Sequence, residues 1–202
     1  MSFVIAIDGP AAAGKGTLAQ ALSSHFGFAY LDTGLLYRAV GAAVLAGAEP
    51  ITAARSLDPS DLNPDTLRTQ AVADAASRVA AIADVRTALV EFQRSFAGRD
   101  GGAVLDGRDI GTVICPDADV KLFVTASAQT RADRRFAELT AKGVQTDPAA
   151  ILAEVRARDD RDQNRAEAPL IAAADAILID TTDMTAAQAL AQAITIVTAK
   201  RA

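Results

Sequence analysis

A glycine-rich segment near the amino terminus carries the residue types that bind phosphate. It reads Gly-Pro-Ala-Ala-Ala-Gly-Lys-Gly-Thr and directly follows a short aliphatic run at residues 3–7. Glycines let the backbone curl so that several N–H groups converge on one anion, and the amino end of a following helix adds positive potential. The lysine would then reach the β- and γ-phosphates of a nucleotide. We therefore predict a triphosphate-binding loop made of Gly9, Pro10, Ala11, Ala12, Ala13, Gly14, Lys15, Gly16 and Thr17.

The hydroxyl residue of this loop stands one position later than in the usual pattern, because Gly16 separates Lys15 from Thr17. Magnesium bound to a triphosphate keeps several of its waters. We therefore expect Thr17 to meet Mg²⁺ through a water molecule. Asp106, which closes a strand-like run at residues 103–105, has two equal interpretations: it orients the magnesium ion, or it only forms a turn.

A phosphate loop alone does not separate the classes of protein that use nucleoside triphosphates. Switch GTPases carry an Asn-Lys-x-Asp motif that reads guanine, and the sequence has none. A kinase, a mechanical ATPase and a binding module that holds a nucleotide without turning it over stay open at this point. The groups on the acceptor side have to distinguish them.

Arginine makes up sixteen of the twenty basic residues, and its planar fork binds phosphate bidentately. Arg158, Arg161 and Arg165 are spaced so that they share one face of a predicted helix. Ion pairs with neighbouring aspartates are the alternative, but Arg158 precedes Asp162, which is the less favourable order for such a pair. We interpret this face as part of a phosphate-clamping lid.

Three more arginines precede this face, and they have two equal interpretations, phosphate binding or surface ion pairing. They are Arg131, Arg134 and Arg135. The second interpretation predicts an ion pair between Arg134 and Glu138. His25 lies near the end of the first predicted helix, and we expect it to have no catalytic part.

Two further polar strings directly follow strand-like runs. They read Leu-Asp-Thr-Gly-Leu-Leu-Tyr-Arg at residues 31–38 and Asp-Gly-Arg-Asp-Ile-Gly-Thr-Val at residues 106–113. Parallel α/β folds place ligands at the carboxyl ends of their strands. Together with Arg-Asp-Asp-Arg-Asp-Gln-Asn-Arg at residues 158–165 and the Gly-Lys-Gly-Thr form of the phosphate loop, these strings closely resemble bacterial cytidylate kinases. The resemblance covers nearly the whole chain.

The resemblance implies an enzyme that transfers the γ-phosphate of ATP to CMP or dCMP, giving ADP and CDP or dCDP, with Mg²⁺ entering alongside ATP. By matching positions, it implies that the acceptor phosphate lies against Thr33, Tyr37, Arg38, Arg108 and Arg165. It also implies that the sugar hydroxyls lie against Arg158 and Asp162, and the cytosine ring against Ser77, Arg86 and Asp109. We expect the catalytic side chains to be Lys15, Arg108, Arg158, Arg161 and Arg165.

Two of these implied contacts have alternatives. Tyr37 starts a helix, where an aromatic side chain usually packs, and the resemblance is what favours a phosphate role. Asp109 would accept a hydrogen bond from the cytosine amino group, or it would only orient Arg108 through an ion pair. Members of the family usually carry a longer insert containing a small sheet before Arg68, so the chain resembles a member with a shortened insert.

The chemistry that the resemblance implies needs few special groups. CMP offers an oxygen that is already anionic, so no general base is required, and catalysis depends on in-line positioning and on neutralising charge. A kinase for UMP, for AMP or for a hydroxyl compound is the alternative. A hydroxyl acceptor would require a carboxylate base beside it.

The elements that position these residues follow from the alternation of short aliphatic runs with longer helical patterns. Strands are predicted at residues 3–7, 28–31, 103–105, 120–124 and 176–179, and a closing helix carries Leu190, Ile194 and Val197. Such alternation predicts an α/β fold of the P-loop NTPase type, with a parallel sheet flanked by helices.

We expect one nucleoside monophosphate kinase domain over residues 1–202 with two excursions from its core. The core would comprise about residues 1–37, 100–130 and 170–202, the acceptor-binding helical insert about 38–99, and the lid about 131–169. Within the insert, residues 48–63 predict an irregular surface segment, because Pro50 and Pro59 interrupt them and Pro64 follows directly. Helices are predicted at 67–83 and 85–96, and a helical pair at 131–165.

Composition narrows the partners and the setting. The net charge of -5 argues against nucleic acid, which is usually met by a basic face. A single cysteine, Cys115, allows no disulfide within the chain, and no Cys or His spacing resembles a metal site. No apolar run approaches the roughly 18 residues of a membrane span. We therefore expect a cytoplasmic protein, with no membrane partner, that acts as a monomer.

Overall fold

The computed structural model describes residues 2–201, and of Pro59 it describes the backbone only. Five parallel strands form one sheet in the order β2-β3-β1-β4-β5. They are β1 (Val4–Asp8), β2 (Ala29–Asp32), β3 (Ala103–Gly107), β4 (Val120–Thr125) and β5 (Ile177–Asp180). All five predicted strands are confirmed, and their bounds differ by one or two residues. The predicted α/β class is confirmed as well.

The strand order brings three loops to one edge of the sheet. β1 lies in the centre between β3 and β4, and its Ile5 and Ile7 are fully buried. Asp8 at the end of β1 is in register with Gly107 of β3, and Asp32 at the end of β2 is in register with Asp106. Ligands of parallel α/β folds bind at this carboxyl edge. The phosphate loop and both polar strings therefore meet there.

Helices cover both faces of the sheet. On one face α1 (Lys15–Phe26) and α9 (Ala186–Arg201) pack on β1 and β4 through an aliphatic core that includes Leu22, Leu122 and Val197. On the other face α6 (Ala83–Ala97) and a π-helical turn (Ile110–Ile114) pack on β1 and β3. The predicted closing helix is confirmed as α9. None of the helices in the described residues is long and apolar enough to cross a bilayer.

The chain between β2 and β3 is helical. It forms α2 (Thr33–Leu45), α3 (Pro50–Arg55), a short 3-10 turn (Pro59–Asp61), α4 (Pro64–Leu67), α5 (Gln70–Val79) and α6. The prediction that residues 48–63 are wholly irregular is wrong, because α3 lies within them. The Glu49 carboxylate accepts hydrogen bonds from the amides of Ile51 and Thr52, and Pro50 suits the first turn of a helix.

The single helix predicted at residues 67–83 is also wrong. The chain breaks at Arg68 and Thr69, where the Thr69 hydroxyl accepts a hydrogen bond of 3.3 Å from the Val72 amide and starts α5. Threonine caps a helix more readily than it extends one, because its side chain competes for backbone amides. The break separates α4 from α5 and lets α5 pack on α2.

The predicted helical pair between residues 131 and 165 is confirmed. It consists of α7 (Ala128–Ala141) and α8 (Pro148–Gln163). The two helices share a small apolar cluster of their own, formed around Ala132, Ile151 and Val155. This cluster is separate from the two cores that cover the sheet, and Asp162 of α8 contacts Arg108 at the carboxyl edge.

Candidate active site

The phosphate loop, residues 9–17, connects β1 to α1 and passes close to β4. Gly9 has a φ of 144°, and a Cβ atom placed on it would lie 1.9 Å from the carbonyl oxygen of Val124. Any other residue at this position would clash with the β4 backbone. Ala12 and Gly14 also have positive φ angles, 59° and 90°. These turns bring the loop back to the amino end of α1, where helix amides favour an anion.

Lys15 is held in a nearly dry position at the start of α1. Its side chain is 6% exposed, and its Nζ donates a hydrogen bond of 2.9 Å to the carbonyl oxygen of Pro10. Burial and the nearby Arg108 guanidinium lower the pKa of Lys15 to about 7, although Asp106 partly offsets them. A buried ammonium group in contact with a neutral carbonyl is poised to take an anionic partner.

Asp106 lies beside the phosphate loop at the end of β3. The Tyr30 hydroxyl donates a hydrogen bond of 3.1 Å to its carboxylate, and the Thr33 hydroxyl donates one of 2.7 Å to its carbonyl oxygen. Burial and the neighbouring Asp32 raise the pKa of Asp106 to about 7. A Cβ atom on Gly16 would lie 3.7 Å from the carboxylate. The Asp106 carboxylate therefore lies beside the first turn of α1, where the magnesium-orienting interpretation expects it.

A built-in metal cluster is missing from the residues that the structure describes, because they contain no group of three or more His, Cys, Asp or Glu side chains that could hold an ion. Among the described residues, the Tyr30 hydroxyl is the one side-chain donor to the Asp106 carboxylate and contacts Oδ1, so Oδ2 is left to accept from a water bound to a cation. Thr17 is exposed one turn into α1. These two oxygens fit a magnesium ion that arrives with a nucleotide and keeps its waters.

A buried ion pair connects α6 to the turn that follows β3. Arg86 of α6 donates a hydrogen bond to the carboxylate of Asp109, and both side chains are almost fully buried. The Arg86 guanidinium is 5.9 Å from the centre of the Tyr37 ring. Burial raises the pKa of Asp109, although Arg86 and Arg165 oppose the shift. The predicted base-reading residues Arg86 and Asp109 are thus brought together, with the predicted phosphate-pocket residue Tyr37 beside them.

The ion pair considered between Asp109 and Arg108 is wrong. Arg108 instead donates a hydrogen bond of 2.8 Å from Nε to Asp162 of α8, and one of 3.1 Å to the carbonyl oxygen of Gly107. Burial would raise the pKa of Asp162, but Arg108 and Arg158 lower it on balance. The Arg108–Asp162 pair connects the turn after β3 to the helical pair.

Two arginines beside this pair bury donors that have no partner. Among the described residues, none accepts a hydrogen bond from Arg158 Nε or from Arg165 Nε and NH2. Burial and the nearby Arg108 lower the pKa of Arg158 to about 10, and burial and Arg86 lower the pKa of Arg165. We call Arg108, Arg158 and Arg165 the arginine cluster. Of the three guanidinium groups, Arg108 alone is hydrogen-bonded to the Asp162 carboxylate, so among the described residues the cluster has donors left for an anion.

Two further predicted acceptor residues, Arg38 and Ser77, form hydrogen bonds outside this cluster. Arg38 NH1 donates a hydrogen bond of 2.9 Å to the carbonyl oxygen of Leu67, so its fork is turned partly toward α4. Ser77 of α5 accepts a hydrogen bond of 3.3 Å from Arg161 Nε of α8. That contact brings a predicted base-reading residue together with a predicted catalytic arginine.

The three arginines at the start of α7 have different partners. Arg131 forms two hydrogen bonds to the carboxylate of Asp159, at 2.8 and 2.5 Å, and one of 3.3 Å to the carbonyl oxygen of Ala11 in the phosphate loop. Arg134 donates to the hydroxyl and carbonyl oxygens of Thr181 at 3.0 and 2.6 Å. The predicted Arg134–Glu138 pair is wrong, because Arg135 pairs with Glu138 at 2.8 Å.

Sequence reasoning missed a cleft on the outer side of the phosphate loop. Its volume is about 350 Å³. Phosphate-loop atoms, the first turns of α1, α9 and the segment after β5 form its walls, with Leu18, Arg134, Thr181, Met184 and Leu190 among the lining side chains. The segment after β5 carries no motif, so only its position in the fold identifies it. A flat apolar group attached to a bound triphosphate fits between such walls.

Comparisons with known proteins agree over almost the whole chain. A family model described as cytidylate kinase matches residues 5–63 and 54–199, and the two parts overlap within the stretch where we expect a shortened insert. A protein named cytidylate kinase from Cereibacter sphaeroides is 62% identical over 194 residues, which cover 96% of this chain and 94% of that protein. Another of the same name from Azorhizobium caulinodans is 57% identical over 200 residues, covering 96% and 97%.

A solved structure supports the fold alone. It is described as an uncharacterized protein from Eubacterium ventriosum and superposes with a TM-score of 0.60 at 16% sequence identity. The superposition covers 96% of this chain and 98% of that chain. At this identity the agreement extends to the arrangement of strands and helices and to nothing finer.

Proposed function

The chain belongs to the cytidylate kinase family, and from that premise we propose that it transfers the γ-phosphate of ATP to CMP or dCMP, giving ADP and CDP or dCDP. The observation that supports this most is the arginine cluster, some of whose buried donors have no partner within residues 2–201 and lie beside the Arg86–Asp109 pair. A phosphate would satisfy the free donors while a pyrimidine ring faces the ion pair. The phosphate loop at the same edge would then hold the second nucleotide.

The donor site in this proposal consists of residues 9–17 and the cleft beside them. Loop amides and Lys15 bind the phosphates, and the cleft takes the adenine ring. Asp106 and Thr17 would hold Mg²⁺ through water. When bound with ATP, the ion neutralises charge on the β- and γ-phosphates. Lys15 moves from the Pro10 carbonyl to the phosphates, an exchange of a neutral partner for a charged one.

The acceptor phosphate lies against the arginine cluster. Arg165 and Arg158 supply buried donors that no other described residue accepts from, so little solvent has to be removed from them when CMP enters. Thr33, Tyr37 and Arg38 form the opposite wall at the start of α2. Asp162, which is held by Arg108, accepts hydrogen bonds from the sugar hydroxyls, and Arg158 donates to their oxygen atoms.

The base is selected by charge and hydrogen-bond polarity. Asp109 accepts a hydrogen bond from the amino group of cytosine, whereas uracil presents a carbonyl oxygen at that position. Arg86 and Ser77 donate to the ring's own acceptors. The Asp109 carboxylate and the uracil carbonyl are both acceptors and would repel each other lone pair to lone pair, so UMP should be rejected.

Catalysis follows from position and charge. The acceptor oxygen is anionic, so no residue has to remove a proton. Lys15, Arg108, Arg158, Arg161 and Arg165 neutralise the charge that spreads over the transferring group. We assign residues 131–169 as a lid and residues 38–99 as the acceptor insert. The Arg161–Ser77 contact and a 3.2 Å hydrogen bond from Arg135 to Gln70 let the lid close onto the insert and exclude water.

The setting belongs to the proposal as well. Both substrate sites are built from one chain, in keeping with a monomer. The acidic net charge favours small nucleotides over nucleic acid as partners. One cysteine and no membrane-spanning helix among residues 2–201 are compatible with the cytoplasm, where the nucleotide pools and reducing conditions suit this activity.

A panel of acceptors tests the proposal. Purified protein is incubated with ATP and Mg²⁺ and with CMP, dCMP, UMP, AMP or a sugar, and ADP release is measured. CMP and dCMP should support the fastest release, and Lys15→Ala should abolish it. Equal release with UMP or AMP would point to another acceptor. Release that no acceptor stimulates would point to a module that holds ATP without transferring its phosphate.

A further inference from the structure

A buried carboxylate at the end of the central strand contacts the turn that carries the base-reading residues. Asp8 is the last residue of β1 and directly precedes the phosphate loop. Its Oδ1 accepts a hydrogen bond of 2.8 Å from the Ile110 amide, and its Oδ2 accepts one of 2.7 Å from the Gly111 amide. These amides open the π-helical turn that follows Asp109. One side chain therefore fixes the turn to a strand 102 residues away in sequence.

The first amides of any helical turn lack acceptors within the turn and need a cap. An aspartate at the position before the turn is the usual cap, because its own side chain accepts from those amides. Asp109 occupies that position, yet in the described part of the chain its side chain makes no capping hydrogen bond and is paired with Arg86 instead. Asp8 does the capping in its place.

The two amides of the turn favour the charged form of the Asp8 carboxylate, whereas burial opposes it. Burial raises the pKa of Asp8 to about 6, and the amides of Gly111 and Ile110 oppose that shift. The charged and titratable groups near Asp8 are Asp109, Lys15, Lys121 and Cys115. Lys121 packs its methylene groups against Gly111, and a Cβ there would lie 3.2 Å from Lys121 Cδ. Neither Lys121 nor Cys115 forms a hydrogen bond to Asp8 in the described residues.

We propose that Asp8 is a positioning residue for base selection: by capping the turn in place of Asp109, it frees Asp109 to read the cytosine ring. Asp8 itself touches neither substrate. If the cap weakens, Asp109 can turn back to the amides of its own turn and leave the base site. The inference rests on the proposed function and adds a residue to it.

The test is base discrimination by Asp8→Asn. Asparagine keeps the shape of aspartate but presents one N–H₂ group to an amide donor, so one of the two capping hydrogen bonds is lost. We expect the ratio of kcat/KM for CMP to that for UMP to fall by roughly tenfold, the order expected for one lost hydrogen bond to a charged group. The KM for ATP should change by less than about threefold, since a role confined to the acceptor turn spares the donor loop.

Asp119→Asn is the matched control. Asp119 also accepts an amide hydrogen bond from β1, 2.7 Å from Val4 N, but at the opposite end of the strand and on the surface. The same chemical change there should leave the CMP/UMP ratio unaltered. In an Asp109→Asn background, Asp8→Asn should not lower the ratio further, because the residue that it positions is already changed.

A second measurement needs no variant. In the wild-type protein the amide proton resonances of Ile110 and Gly111 should titrate together with a midpoint near pH 6 as Asp8 gains its proton. A CMP/UMP ratio unchanged by Asp8→Asn, a KM for ATP that rises as much as the KM for CMP, or two amides whose resonances titrate with different midpoints would overturn the inference. If the wild-type protein fails to phosphorylate CMP, the proposed function fails instead, and the two outcomes are distinct.

Discussion

Replacing Arg165 by methionine should stabilise the protein without nucleotide and weaken its binding of CMP. Arg165 buries two nitrogen atoms that have no hydrogen-bond partner among the described residues, and its charge lies near those of Arg86 and Arg108. A buried donor left unsatisfied costs about 1–3 kcal/mol. Methionine is unbranched and flexible enough to fill the same space without a charge.

The expected gain is smaller than the sum for both nitrogens. The Arg165 side chain is only partly buried, and it is attracted to Asp162 and Asp109. We therefore expect the free energy of unfolding to rise by about 1–3 kcal/mol in the variant. The matched control is Arg156→Met on the exposed side of α8, where a surface substitution should change stability by no more than about 0.5 kcal/mol.

CMP should stabilise the wild type more than it stabilises the variant. At a CMP concentration of about 100 times its wild-type Kd, ligand binding stabilises the wild type by about 2.7 kcal/mol. A lost charged hydrogen bond costs about 1.5–3 kcal/mol of affinity, so the same concentration should stabilise the variant by about 1.4 kcal/mol or less. Urea unfolding with and without CMP measures both effects. A variant less stable than the wild type without CMP would refute the idea that the arginine cluster is held in readiness for an anion.

Three further predictions concern the donor, the lid and the base. Lys15→Ala should lower kcat about 100- to 1000-fold in a steady-state assay, because it removes a charge from the transferring phosphate, and near-normal turnover would exclude the loop from the site. Amide exchange across residues 158–165 should slow when both nucleotides are bound, and unchanged exchange at saturation would contradict closure. Asp109→Asn should reduce the CMP/UMP ratio of kcat/KM by a factor equivalent to about 1–3 kcal/mol of discrimination, whereas a constant ratio would leave Asp109 a supporting residue.

The sheet could be predicted from sequence because its strands, above all the buried β1 and β3, read as short aliphatic runs. The phosphate loop could be predicted because its glycines stand where a side chain would clash, as a Cβ on Gly9 would with the Val124 carbonyl oxygen. The helix that starts at Pro50 is not predicted from sequence, because a proline usually interrupts a helix. A proline that follows Glu49 starts a helix, because the missing amide is not needed in the first turn.

Pairings across the chain were harder to predict. Arg134 and Arg135 differ by one position, and only the packing of α7 on the segment after β5 decides which of them faces Glu138. The capping contact of Asp8 could not be predicted either, because a strand residue has no local signal for a turn that lies beyond β3 in the chain. Long-range contacts of this kind depend on strand order, which the sequence indicates only through its general α/β pattern.

The most direct test of the central claim follows the phosphate itself. ATP carrying a radiolabelled γ-phosphate is incubated with the protein, Mg²⁺ and CMP, and the products are separated by chromatography. The label should move to CDP, and dCMP should yield labelled dCDP in the same way. Label recovered as inorganic phosphate, or retained in ATP while CMP stays unchanged, would contradict phosphoryl transfer to a cytidine nucleotide.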